Sequence, residues 1–350
     1  MMKTNKWTMA LAAAGVVSLG SVAQAQEAAA GAEALAASTT LSGYVSTSYT
    51  LRDGDGTAIA KSNATSKTAK DSFALDVVSL TLASAQGAGE YATGYTVGMW
   101  IGPDDQGSTG GNDFELTQAN IDLRLPIGNG IDLKVGYMPT IVGYETWEYT
   151  DNAFFQRGLG FSVEPTHHTG LLASYQLTDS VGVTVGLVND SSDNTANNVG
   201  GTSDGTHSFA GAISYTLPDS LGPLGGAGLN GATLLDYNGA DYWYASASIP
   251  LPMEGLSLDV AADWVDYDNG NDDEIYQVYL SYAVSDATTL NIRYEQGTAD
   301  GQGLTDLDSV AIGVTHDLWE NVTSRVEWMS TSEEGVADDD TFAINLVYSF

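Results

Sequence analysis

From about residue 40 onward, apolar side chains recur at every second position in short runs. In 342–350, Phe342, Ile344, Leu346, Tyr348 and Phe350 share one face, while Ala343, Asn345, Val347 and Ser349 share the other. A period of two predicts a strand with one apolar side and one small or polar side. In 90–101, Tyr91, Tyr95, Val97, Met99 and Ile101 oppose Ala92, Gly94, Thr96 and Gly98. In 256–264, Leu256, Leu258, Val260 and Trp264 oppose Ser257, Asp259 and Asp263. In 290–295, Leu290, Ile292 and Tyr294 oppose Asn291, Arg293 and Glu295; in 322–328, Val322, Val326 and Trp328 oppose Arg325 and Glu327. Charges within strands therefore fall opposite the apolar face.

The connections have a rhythm. Short ones, at 85–89, 126–130, 178–180, 250–254, 285–287 and 317–321, alternate with polar, acidic ones at 52–71, 103–112, 143–167, 190–206, 267–273, 298–305 and 332–339. Alternating brief turns and long loops predict an all-β chain, a transmembrane antiparallel up-and-down β-barrel of about sixteen strands. The poorly periodic stretch 218–250 leaves fourteen as the other count. A charge on the lipid face at mid-bilayer costs about 2–4 kcal/mol, so the charged faces are expected to line a wet lumen. Closure requires the strand ending at Phe350 to pair with 40–51, because lipid tolerates no open sheet edge. Tyr348 and Phe350 then read as an assembly signal for the barrel-assembly machinery. Tyr49, Tyr137, Tyr215, Tyr237, Tyr267 and Trp319 near strand ends suit interfacial girdles.

The start of the chain fits export. Lys3 and Lys6 precede an apolar run from Met9 to Val22 and then Ala23-Gln24-Ala25, which predicts a signal peptide over 1–25, cleaved after Ala25. An Ala-rich lead-in follows over 26–39, and 40–350 reads as one barrel domain, since no Pro/Ser-rich linker divides it. With no Cys, neither a lipoprotein anchor nor a disulfide framework is available. A net charge of −34 excludes nucleic acid as a partner and is compatible with cations. Abundant Gly (40) and scarce Pro (8) agree with many tight turns between strands.

The blocks TTLSGYVSTSYTLR (39–52), FALDVVSLTL (73–82), GYTVGMWIGPD (94–104), LRLPIGNGIDLKVGYMPTIVGYETWE (123–148) and EPTHHTGLLASYQLTDSVGVTVGLVND (164–190) resemble the β-barrel porin-2 family. The match is most specific over 40–190. The resemblance implies a bacterial outer-membrane barrel with porin activity.

By analogy with general porins, the third long connection, 143–167, is expected to fold inward as a constriction. Its aromatics Tyr144, Trp147, Tyr149, Phe154 and Phe155 are unsuited to a freely solvated loop. Glu145, Glu148, Asp151, Arg157 and Glu164 are the candidate constriction residues. Arg124, Lys134, Asp259, Asp263, Arg293, Glu295, Arg325 and Glu327 are the candidate pore wall, the bases facing the loop acids in a transverse field. A capping or plugging loop is the alternative, and Tyr144 with Trp147 as a greasy sugar track is another. His167-His168, adjacent on a strand, point apart and suit a structural role better than chelation. Neither Ser162 nor Ser174 has a base and orienter at convincing spacing, so no enzyme is expected. The acidic clusters Asp53-Gly54-Asp55, Asp190 to Asp193, Asp268 to Glu274 and Asp338 to Asp340 can hold loop-bound Ca²⁺, but none fits an EF-hand and solvated charge is the better reading. No other cofactor is expected. The sequence thus points to an outer-membrane porin passing small hydrophilic solutes and cations passively, embedded in outer-membrane lipid and forming a homotrimer by analogy. A substrate-specific channel or a plugged structural barrel are the rivals.

Overall fold

A computed structural model describes residues 38–53, 71–102, 114–190, 207–335 and 338–350. The proposed signal, nearly all of the Ala-rich lead-in and most of the connections at 52–71, 103–112 and 190–206 lie outside them. The strands are β1 (Thr39–Asp53), β2 (Ser72–Ser84), β3 (Thr93–Ile101), β4 (Phe114–Leu125), β5 (Ile131–Pro139), β6 (His167–Thr178), β7 (Val181–Asn189) and β8 (His207–Thr216). They continue with β9 (Gly228–Tyr237), β10 (Ala240–Pro250), β11 (Leu256–Tyr267), β12 (Asp272–Ser285), β13 (Thr288–Ala299), β14 (Leu304–Trp319), β15 (Val322–Glu333) and β16 (Asp339–Ser349). Each pairs antiparallel with its chain neighbours, and β1 pairs with β16, closing a sixteen-strand barrel.

The seam matches the expected partner segments. Tyr44 to Asp53 register against Ser349 to Asp340, and Phe350 exchanges backbone hydrogen bonds with Gly43 (2.9 and 3.0 Å). Inside the seam, Arg52 forms an ion pair with Asp339 at 2.5 Å. The faces follow the alternation: Leu290, Ile292 and Tyr294 are each 43% exposed, whereas Asn291, Arg293 and Glu295 are at most 3% exposed. Ile344, Leu346, Tyr348 and Phe350 are likewise exposed, while Asn345 is buried in the interior rather than facing open water. There it donates to Ser46 Oγ at 2.8 Å and Thr47 O at 3.1 Å.

The stretch 218–250 departs from the alternation of short and long connections. The β8–β9 connection, 217–227, is long although it lies at the turn end. The β9–β10 connection at the opposite end is only Asn238-Gly239, with Tyr237 paired to Ala240. Both turn residues have positive φ (54° and 71°), the geometry of a type I′ hairpin, which Asn-Gly favours because neither residue is strongly penalised there. From here onward the loop end carries only tight connections, since β11 to β16 extend upward; β14 alone has 16 residues against 9 in β3. The expected loops 267–273 and 298–305 accordingly shrink to four-residue connections, 268–271 and 300–303.

Three of the expected girdle aromatics turn inward; Tyr267 follows Asp263 and Val265 on the inner face of β11, packs on the interior cluster and donates to Asp273. Tyr237 is buried because a bulge at Asp236 (φ 55°) shifts the register of β9. Tyr137 is buried beside Met138, directly after Gly136 (φ 130°) of β5. Trp319 (71% exposed) and Tyr215 do lie on the outer face near the turn end.

Candidate functional site: the lumen and the loop that crosses it

The connection from β5 to β6 occupies 140–166, close to the expected 143–167, and folds into the barrel. It contains a 3-10 turn, Tyr149–Asp151, and a five-residue helix α1, Leu159–Val163. Its aromatic residues explain the path, because they find their apolar partners on the inner wall. Trp147 and Tyr149 both stack on Trp100 of β3 (ring centroids 5.0 and 5.4 Å). Together with Phe155 and Phe161 they pack on Tyr44, Val77, Ala343 and Val347. Phe154 packs on Ala311 and Met329 of β14 and β15. Val142, Leu159 and Val163 meet an apolar patch of Leu172, Val188, Leu234 and Tyr242 on β6, β7, β9 and β10. Each fully buried large side chain contributes about 1.5–3 kcal/mol.

Polar contacts fix the loop along β13 to β15. Glu145 receives Arg293 Nη1 at 2.6 Å and the amide of Gly158 at 2.7 Å. Glu327 accepts the amides of Phe155 and Gln156 at 2.8 and 2.7 Å, and Glu295 that of Gly160 at 3.2 Å. Arg293 Nε also lies 3.0 Å from Glu295. Arg325 reaches the carbonyl of Asn152 at 3.3 Å. Wall carboxylates thus satisfy loop amides, and wall guanidiniums satisfy loop carbonyls. This is how charges survive in a packed interior.

The opposite grip is Glu148, which accepts Tyr44 Oη (2.8 Å), Trp100 Nε1 (3.1 Å) and Ser79 Oγ (3.2 Å). Arg157 is buried, donates to Trp147 O at 2.6 Å and lies over the rings of Tyr149 and Phe161 at 4.8 and 5.1 Å. No carboxylate among the described residues pairs with it. Glu164 sits against the Asp263 carboxylate with Glu145 and Glu295 nearby, and desolvation plus these like charges push its pKa well above the usual carboxylate range. Asp151 is the exposed member of the set.

The expected residues therefore converge, but in a different relationship. Arg293 and Arg325 touch the loop directly instead of facing its acids across open water. Arg124 and Lys134 do not face the loop acids; they pair within the wall, with Asp132 (2.9 Å) and Asp122 (2.8 Å). The reason is loop length: 140–166 is long enough to reach the far wall and bury its aromatics there. Tyr144 packs in a tilted arrangement on Tyr279 (ring centroids 4.2 Å) and bonds Asp259, and Trp147 is buried, so the pair forms no exposed track.

The two histidines have separate surroundings: His167 stacks on Tyr137, while His168 bonds Thr140 Oγ1 at 2.9 Å. Ser174 Oγ pairs with Thr184 Oγ1 at 2.8 Å and Ser162 Oγ with Leu159 O at 2.5 Å. Among the described residues no three His, Asp or Glu side chains converge as a metal-binding group. The loop acids that are described organise turns instead: Asp190 accepts the amide of Asn238 at 2.6 Å, and Asp273 accepts Tyr267 Oη and the amide of Gly301, both at 2.8 Å. Sequence reasoning missed Tyr44, Ser79 and Trp100, which hold Glu148. They share an inward face, but only the loop's position gives them a role.

A closed antiparallel sixteen-strand barrel with an apolar outer band and a loop folded into its lumen defines the class of outer-membrane porins. The chain belongs to the family described as "Putative beta-barrel porin-2, OmpL-like", whose model matches residues 38–348. No curated protein matches it by sequence. Among solved structures, it is similar to the outer membrane channel DcaP of Acinetobacter baumannii, at 12% identity and TM-score 0.61 over 89% of this chain and 97% of that one. The anion-selective porin from Comamonas acidovorans (13% identity, TM-score 0.59, 89% and 99% covered) has the same fold. So does the trimer form of OmpT, an outer membrane protein of Vibrio cholerae (14% identity, TM-score 0.60, 89% and 99% covered).

Proposed function

We propose that this protein is a passive outer-membrane channel for small hydrophilic solutes and ions, with loop 140–166 as its constriction and cations as the preferred ions. The observation that carries the reading is that loop anchored in the lumen through Arg293 and Glu145, because a loop so placed sets the bore of the barrel. The sign of the ion preference rests on this chain's own charge of −34, not on the fold, which it shares with an anion-selective porin. Glu145, Glu148, Asp151, Arg157 and Glu164 are the constriction residues of this proposal; a homotrimer and recognition of the strand ending in Tyr348 and Phe350 during assembly belong to it as well.

Purified protein in planar bilayers is expected to give discrete conductance steps, with a reversal potential of cation-selective sign under a KCl gradient. Absence of conductance overturns the channel, and anion preference overturns the charge assignment. A second reading, a structural barrel plugged by the loop, is favoured by the apolar contact of Val142, Leu159 and Val163 with the wall. Glu145→Ala and Arg157→Ala separate the two: an altered unit conductance supports a constriction, and a barrel silent in wild type and variants supports a plug.

A further inference from the structure

Below the apolar patch, at the turn end, the lumen holds a cavity of about 460 Å³ that loop 140–166 leaves open. Its wall is built from β6 to β10, where the cross-strand register aligns two inward rows. One runs Ser174, Thr184, Ala212, Ala232, Tyr244, and the next Gln176, Gly182, Ser214, Asn230, Ser246. One step further from the turns the row becomes Leu172, Gly186, Ala210, Leu234, Tyr242, the patch on which the loop packs. Gln176, Ser214 and Asn230 point inward yet remain exposed, so the cavity is open to solvent.

Its polar lining is mostly uncharged. Ser174, Thr184, Ser214, Ser246 and Tyr244 offer hydroxyls and Asn230 an amide, each able to donate and to accept. The charged groups at its edge, Arg124 and Asp132, neutralise each other through two bonds from Arg124 Nη1 (2.9 and 3.0 Å), while Arg124 Nη2 donates to Asn129 O at 2.8 Å. The nearest further charges are the carboxylates of Glu164, Asp263 and Asp259, which act on Tyr244, so an anion entering this space would lose hydration without meeting an uncommitted positive charge. A neutral polyol would exchange water for hydroxyl partners of the same kind. The volume lies within the roughly 300–1,000 Å³ of small-molecule sites.

We propose that this vestibule is a binding site for an uncharged, polyhydroxylated solute of about sugar size, and that its hydroxyl rows give the channel its solute preference. The solute preference rests on the channel reading; binding itself does not. The test uses the full barrel refolded in a zwitterionic detergent, with folding verified by heat-modifiable mobility on gels. Saturation-transfer NMR and calorimetry then measure binding of glucose and glucuronate. Saturable glucose binding is expected, with glucuronate, whose carboxylate meets no free positive charge, weaker by about tenfold. The triple variant Ser214→Ala, Asn230→Leu, Ser246→Ala should weaken glucose by about tenfold or more, since three hydrogen-bonding groups are lost at little change in volume. Should the triple variant not refold, Thr184→Val alone is measured against the same expectation of weaker binding. Equal affinity for both ligands, unsaturable glucose binding, or a folded triple variant with unchanged affinity overturns the proposal. Bilayer conductance of the same preparation reports separately on the channel: conductance without glucose binding retains the channel and removes the site, and binding without conductance does the reverse.

Discussion

Arg293 is buried among Glu145, Glu295 and the Phe154 ring, 5.0 Å from its guanidinium, so its partners cannot be replaced by water. Breaking a buried pair by removing one member costs about 3–5 kcal/mol, because the survivor keeps its desolvation penalty. Glu145→Ala should fall near the lower end, about 3 kcal/mol, since Glu295 still neutralises Arg293. The midpoint of heat-induced loss of compact gel mobility reads this out; a variant as stable as wild type would show that the pair does not anchor the loop. Glu164 gives the complementary case. Its pKa is raised in the folded barrel, so it is protonated more readily there than in the unfolded chain. That stabilising protonation is fully present below the ordinary carboxylate value of 4.5 and is lost as pH rises through the elevated one. Protease accessibility of loop 140–166 in intact barrels should therefore increase with pH above that point. Glu164→Gln, which cannot ionise, should flatten the dependence; an equally steep Gln variant would assign the response to another group.

The alternation of residues made an antiparallel up-and-down barrel of about sixteen strands legible, and it failed where backbone chemistry overrides periodicity. At 218–250 the decisive signal was the dipeptide Asn238-Gly239, read as part of an aperiodic stretch although it specifies a two-residue hairpin. Local backbone departures were invisible for the same reason: a bulge at Asp236 reverses the facing of Tyr237, and Gly136, at φ 130° within an unbroken register, precedes the buried Tyr137, while period-two counting carries no term for either. The turn offers a test. Gly239 has φ 71°, where a Cβ is disfavoured by about 1–2 kcal/mol, so Gly239→Ala should lower stability to urea by that amount. Asn238→Asp, which tolerates the same region, should stay within about 0.5 kcal/mol. Equal effects from both would remove the I′ geometry as the reason for the short connection.

At the scale of the whole molecule, the faces bearing Arg293, Glu295, Arg325 and Glu327 were legible from spacing, whereas their partners were not. Partners depend on where a long loop comes to rest, and that is decided by packing between residues more than a hundred positions apart, as between Phe155 and Glu327 (171 to 172 apart along the chain for the two amides bound). This distinction bears on ion selectivity. The lumen acids Glu145, Glu148, Glu295 and Glu327 are engaged by arginines, hydroxyls and loop amides, so little of the net charge of −34 is left uncompensated at the narrowest level. Exposed acids such as Asp268, Asp272, Glu334 and Asp338 lie instead on or beside the connections at the loop end. Charges in that position act through water and are screened over about 10 Å at 0.1 M salt and about 3 Å at 1 M. Cation preference is therefore expected to be clear in gradients centred near 0.1 M KCl and to fall toward the ratio of bulk mobilities near 1 M, with Glu145→Ala changing unit conductance more than selectivity. Selectivity that persists undiminished at 1 M would place the filter inside the lumen, at uncompensated carboxylates such as Glu164 and Asp263, rather than at the mouth.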